Sequence, residues 1–249
     1  MRPRGAAGAN GRPVSYRMPN PAPTQFHRFE ALSLAAALTV LAMVLPYSDP
    51  VRNLYNSFGL PPDAWLSQHR FGDLALIAMG LILVLPAPRA SGLCIGRIRE
   101  YWWYVSLLIG LPLVGTAIVY PLLPDRPFKG ADLNMWLTSP LAQDLFFGGV
   151  IYRILRPHFA TRVSRWLPFE WVLPVGGLFF AAWHLQNLEY FPTRYVAFQL
   201  LYTWGAYNLL GLTRQWTGSL LYVILAHMAG NFLVWYVDLV GWDPRAPLM

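Results

Sequence analysis

Seven apolar runs, separated by short polar connections, dominate this chain: about 30 to 47, 71 to 87, 101 to 123, 137 to 155, 172 to 186, 194 to 212 and 217 to 240. A helix needs about 20 residues to cross the hydrocarbon core of a bilayer. Several runs fall short of that length, so Trp and Tyr at the interfaces or neighbouring helices must complete them. The runs are continuous rather than alternating, which excludes a strand barrel. Helices keep all their backbone hydrogen bonds internal and are then the spanning structure that remains. The expectation is an all-α, polytopic transmembrane helical bundle of about seven helices. Composition agrees: of 249 residues only 12% are charged and 55% are hydrophobic, against roughly 25% charged in an ordinary soluble domain.

The formal charge of +7 does not point to nucleic acid. The basic residues, 18 Arg and one Lys, are spread between the hydrophobic runs and form no patch interleaved with stacking aromatics. The lipid bilayer is the expected partner, with no nucleic acid. Cys94 is the single cysteine, so an intrachain disulfide and a cysteine-based metal cluster are both excluded. Residues 1–28 carry Arg2, Arg4, Arg12, Arg17 and Arg28 with no acid, which reads as a disordered basic N-terminal tail ahead of a transmembrane domain over 29–249.

Charge also orients the bundle. If the tail is cytoplasmic, the inner connections carry Arg89, Arg97 and Arg99, then Arg153, Arg156, Arg162 and Arg165, then Arg214. The outer side holds Asp49, Asp63, Asp125, Asp132, Glu189, Asp238 and Asp243. One alternating topology satisfies the positive-inside rule at every connection and leaves the C-terminus outside. Trp136, Trp183, Trp235 and Trp242 fall near the outer ends, as an aromatic belt requires. The expected location is multi-pass in the plasma membrane.

Ionisable and amide side chains inside such helices cost free energy, at least ~2.5 kcal/mol for a charge at the centre, and tend to mark function. Three stretches carry them. In "SPLAQDLFFGG", Gln143 and Asp144 follow Ser139 and Pro140, a pair that reads as a helix N-cap with proline at the first helical position. In "FFAAWHLQN", Phe180 and His184 stand four apart; in "ILAHMAGNFL", so do His227 and Asn231, so each pair shares a helical face. A carboxylate that activates water, an imidazole that orients or protonates, and a His–Asn pair that donates to a developing oxyanion are the parts of a hydrolase site. No Ser or Cys is paired with either histidine in the sequence pattern, which favours direct attack by water. A two-His, one-Asp metal site stays open beside that reading, although nothing like HExxH fixes it. Gly148-Gly149 reads as close backbone packing.

These motifs resemble the CPBP intramembrane proteases, or Abi family, which include the type II CAAX prenyl endopeptidases. The family pattern is EExxxR, then FxxxH, then HxxxN or HxxxD, each on its own transmembrane helix. Here the second motif is Phe180 to His184 and the third His227 to Asn231, within a core of about 133–237. The first aligns as Gln143 and Asp144 followed by Gly148, so an amide replaces the first glutamate and glycine replaces the arginine. The resemblance implies an intramembrane endopeptidase with Asp144, His184, His227, Asn231 and Gln143 as site residues. Its substrate would be a peptide of a membrane-associated or exported protein, and it would require no cofactor, with a divalent metal left open. A catalytically inactive binding or scaffolding module is the alternative. A transporter is the third reading, and no broken helix pair in matching halves supports it.

Overall fold

Each apolar run forms a helix, and two short helices join them. The structure is a computed structural model that describes residues 25–45, 49–59, 68–122, 137–166, 169–189 and 191–240. The elements are α1 (Gln25–Val44), α2 (Asp49–Ser57), α3 (Gln68–Val84), α4 (Pro88–Ser91) and α5 (Ile98–Val119), the last followed by a 3₁₀ turn, Tyr120–Leu122. The fourth run divides into α6 (Ser139–Gln143), a π-helical stretch (Asp144–Ile151) and α7 (Tyr152–Phe159). Then come α8 (Val172–Trp183), a 3₁₀ segment (His184–Glu189), α9 (Thr193–Thr217) and α10 (Leu221–Val240). Of the expected tail, residues 1–24 lie outside the described residues, and Gln25–Arg28 already form the first turn of α1. Asp63, Asp125, Asp132, Trp136, Trp242 and Asp243 also lie outside them, as do the side chains of Asp49 and Asp238.

His27–Val44 and Ile98–Leu122 are long and apolar enough to cross a membrane, and Gly72–Val84 and Leu221–Val237 are shorter apolar stretches. Large apolar side chains such as Val40, Ile82, Val114, Leu178, Leu201 and Leu225 point outward from six different helices. A surface apolar on every side suits lipid and not water. This is an α-helical membrane protein.

The core explains where the site sits. Phe146, Phe147, Ile151 and Leu155 of the π-helical stretch and α7 are fully buried against Val172, Leu173 and Phe180 of α8. Helices α8 and α9 pack as an antiparallel pair, α5 and α10 lie beside α9, and α3 covers α6 and the π-helical stretch. The element carrying Asp144 is therefore the centre of the bundle.

At the arginine-rich end, the α9–α10 turn is stitched to the segment after α4. Gly218 sits in the left-handed region at φ 76° and ends α9, a conformation that costs a residue with a Cβ about 1–2 kcal/mol. The run expected from 217 therefore starts as a helix only at Leu221. Leu220 N–H donates to Gly92 O at 2.7 Å and Arg97 N–H to Thr217 O at 2.9 Å. A Cβ on Gly96 would lie 2.3 Å from Thr217 O, so only glycine allows this approach.

Arg214 departs from its expected place in an inner connection. Because α9 runs on to Thr217, its side chain turns into the bundle, where it is buried. Its guanidinium lies 3.8 Å from the Tyr152 ring centroid and donates to Ser91 O at 2.9 Å.

Candidate active site

Asp144 is positioned by an unusual helix. Ser139 is not a cap: it lies within α6, and its Oγ accepts a 2.7 Å hydrogen bond from Gln143 Nε2, one turn on. From Asp144 the chain widens into π-helical turns in which all eight residues are buried. Such wide turns are frequent at functional sites. Gly148 and Gly149 let neighbours into this segment: a Cβ on Gly148 would lie 2.7 Å from Leu220 Cδ1, and one on Gly149 would lie 3.1 Å from Val84 Cγ2. The packing reading of the glycine pair describes these contacts, and Leu220 fills the space where an arginine at 148 would begin.

His227 reaches Asp144 from α10. Its Nδ1 donates to Asp144 Oδ2 at 3.2 Å, with the two side chains 20% and 7% exposed. An ionised carboxylate only accepts, so this bond places the imidazole proton on Nδ1 and leaves Nε2 as the basic nitrogen. Asp144 Oδ1 makes no hydrogen bond to any described residue.

His184 arrives by a different route. At Trp183 the α-helix ends and the chain tightens into the 3₁₀ segment. The His184 ring folds back so that Nδ1 donates to Phe180 O at 3.0 Å. A carbonyl also only accepts, so here again Nε2 is the basic nitrogen. The Phe180 ring stands between the two imidazoles, nearly perpendicular to both, with centroid distances of 5.0 Å to His184 and 6.1 Å to His227. The FxxxH spacing thus supplies a wedge as well as a shared face.

Asp144, His184, His227, Asn231 and Gln143 all line one cavity of about 600 Å³. It lies between α5, α6, α8, α9 and α10, at the end of the bundle opposite Arg97, Arg156 and Arg214. Among the described residues, no group of three or more His, Cys, Asp or Glu side chains gathers closely enough to hold a metal ion. The wall also includes Ser139, read from the sequence only as a cap, and residues the motif reading passed over: Asn187, Gln199, Tyr202, Thr203 and Tyr207. Gln199 carried a signal in the sequence, an amide inside an apolar run. Asn187 carried a weaker one, three residues after His184.

The fold and site define a class: a helical membrane protein with a buried acid–histidine pair facing an internal cavity. Residues 130–233 match the family model for Rce1-like proteins, described as type II CAAX prenyl endopeptidase Rce1-like. The matched residues contain all three motifs, so this segment is similar to the CAAX-protease family that the motifs resemble. Comparison with curated proteins and with solved structures gave no match.

Proposed function

We propose that this chain is an intramembrane endopeptidase of the CPBP type. In this reading it cleaves a peptide of a membrane-associated or exported protein by carboxylate-activated water. The observation that carries the reading is the 3.2 Å contact between Asp144 Oδ2 and His227 Nδ1 on the wall of a cavity that His184 and Asn231 also line. Asp144 uses one oxygen to hold His227 in a single tautomer and orientation, which leaves Oδ1 to accept a proton from water. The Nε2 of His184 or of His227 accepts the water's other hydrogen and so orients it, and Asn231 donates an amide N–H to the oxyanion as it develops. Water's hydroxyl adds to the carbonyl carbon. The proton it loses passes through Asp144 or an imidazole to the departing amine, and the peptide bond breaks. Gln143 cannot take a proton; it contributes a hydrogen bond at most.

The test uses the protein in proteoliposomes with a farnesylated peptide ending in a CAAX sequence, products being read by mass spectrometry. Cleavage is expected in the wild type and its loss in Asp144→Asn, His184→Ala and His227→Ala. Unchanged cleavage in all three variants removes the protease reading.

A binding module without catalysis is the second reading, favoured by two observations. The Gln143 amide stands where the family pattern has a glutamate and is tied to Ser139, and Gly148 stands where it has an arginine. Binding of the farnesylated peptide with no product from any variant, wild type included, would support it.

A further inference from the structure

Asn187 and Gln199 form a pair that neither the motif pattern nor the acid–histidine chemistry uses. Asn187 lies in the 3₁₀ segment after α8 and Gln199 in the second turn of α9, and Asn187 Nδ2 donates to Gln199 Oε1 at 2.8 Å. Both line the same cavity as Asp144 and His227. Their backbones are pinned: Asn187 O accepts from Phe191 N–H at 2.9 Å, and Gln199 O accepts from Thr203 Oγ at 2.7 Å. One donor and one acceptor are consumed between them, which leaves Gln199 Nε2 as a donor and Asn187 Oδ1 as an acceptor. Neither has another hydrogen-bond partner among the described residues. An amide pair buried in a helix interface usually serves as glue. Here the pair faces a cavity, and the groups it leaves over match the C=O and N–H of a peptide bond.

Placement strengthens the match. A 3₁₀ helix has three residues per turn, so residues i and i+3 are eclipsed, and its rise of about 2.0 Å per residue sets Asn187 about 6 Å along the axis from His184. An extended peptide rises about 3.3 Å per residue, so this step corresponds to about two residues. The aromatic wall beside the pair, with Phe191, Tyr195 and Phe198, lowers the local dielectric and strengthens any hydrogen bond made there.

We propose that Asn187 and Gln199 together grip one backbone amide of the substrate peptide, about two residues from the scissile bond, and so set its register without reading its side chains. This rests on the endopeptidase reading for the position of the scissile bond. The pair is a positioning device, and its contribution belongs in substrate affinity before rate.

The test is an ester scan. A farnesylated CAAX-terminated peptide and a series with each backbone amide replaced in turn by an ester are titrated against the Asp144→Asn protein in detergent, so that binding is read without turnover. One ester, two residues from the cleavage point, is expected to weaken binding about 5- to 10-fold, the worth of one typical hydrogen bond. In the Asn187→Leu/Gln199→Met variant of that protein, the parent peptide is expected to weaken by the same factor, and the sensitive ester to cause no further loss. A flat scan on the Asp144→Asn protein overturns the proposal and needs no further variant to fold. So does an ester penalty that persists when the pair is removed. Wild-type cleavage with a flat scan sinks the amide pair and leaves the protease standing. A coupled ester effect with no wild-type cleavage supports the pair and sinks the protease.

Discussion

Asp144 and His227, 83 residues apart in the chain, meet through Oδ2 and Nδ1 at 3.2 Å. Replacing either partner has a different consequence. Asparagine at 144 keeps an oxygen that accepts from Nδ1, so stability should stay near that of the wild type. It cannot accept a proton, so the cleavage rate should fall about 10²- to 10⁴-fold, the usual weight of one acid–base group. His227→Ala instead leaves a buried carboxylate without its donor and should cost about 1–3 kcal/mol of stability as well as the activity. Rates on the farnesylated peptide and thermal melts in detergent, compared for the two variants, separate the effects.

Restoring the family's first motif should not restore its geometry. Gln143→Glu combined with Gly148→Arg would supply the acid and the cation, but a Cβ at 148 already meets Leu220 Cδ1 at 2.7 Å. Overpacking of that kind costs about 1–3 kcal/mol. The double variant is therefore expected to melt lower than the wild type, and adding Leu220→Ala should recover part of the loss. A double variant as stable as the wild type would show that the helix around Gly148 yields more readily than its full burial suggests.

The seven runs were legible because a bilayer demands apolar side chains of every span, a signal that persists even where a run is too short to cross alone. The histidine motifs were legible because four residues make about one helical turn, and intramembrane imidazoles are costly enough to be conspicuous. What stayed hidden depended on changes of helix type. Nothing local marks the π-helical turns at Asp144 or the 3₁₀ segment at His184, since those follow from how Gly148, Leu220 and Phe180 pack in three dimensions. Ser139 was misread as a cap because the Ser-Pro pattern does not reveal that the helix begins one residue earlier. Arg214 was misplaced because its charge suggested a connection, and only the continuation of α9 to Thr217 turns it inward onto Tyr152.

Glu170 gives the arginine-rich end a pH dependence of known sign. It lies in the connection between α7 and α8, where burial pushes its carboxyl above the usual range. Arg156, whose Nε lies 3.6 Å away, together with Arg162 and Gln215, offsets this only in part. A raised carboxyl means the fold favours the protonated form. Its contribution is therefore best below the ordinary carboxylate range and declines as pH rises through the raised value. Glu170→Gln should raise the melting temperature at neutral pH and match the wild type in acid. Melting curves for both proteins from pH 4 to 8 check this, and a variant that melts below the wild type at neutral pH would mean the Arg156 pair outweighs burial.

The side of the membrane from which substrate arrives follows from which end of the bundle faces out, and Cys94 marks one end. It sits among the inner arginines with its Sγ 3.4 Å from Gly218 O. Leu188 lies past His184 at the cavity end, 48% exposed. With the arginines on the cytoplasmic side, as the positive-inside rule requires, a membrane-impermeant maleimide applied to intact cells should leave Cys94 unmodified until the cells are permeabilised. In a Cys94→Ser background, where serine can still donate to Gly218 O, Leu188→Cys should be modified without permeabilisation. That pattern would open the Asp144 site toward exported proteins. The reverse pattern would turn it toward cytoplasmic, membrane-anchored substrates, while the distances among Asp144, His184 and His227 would be the same in either orientation.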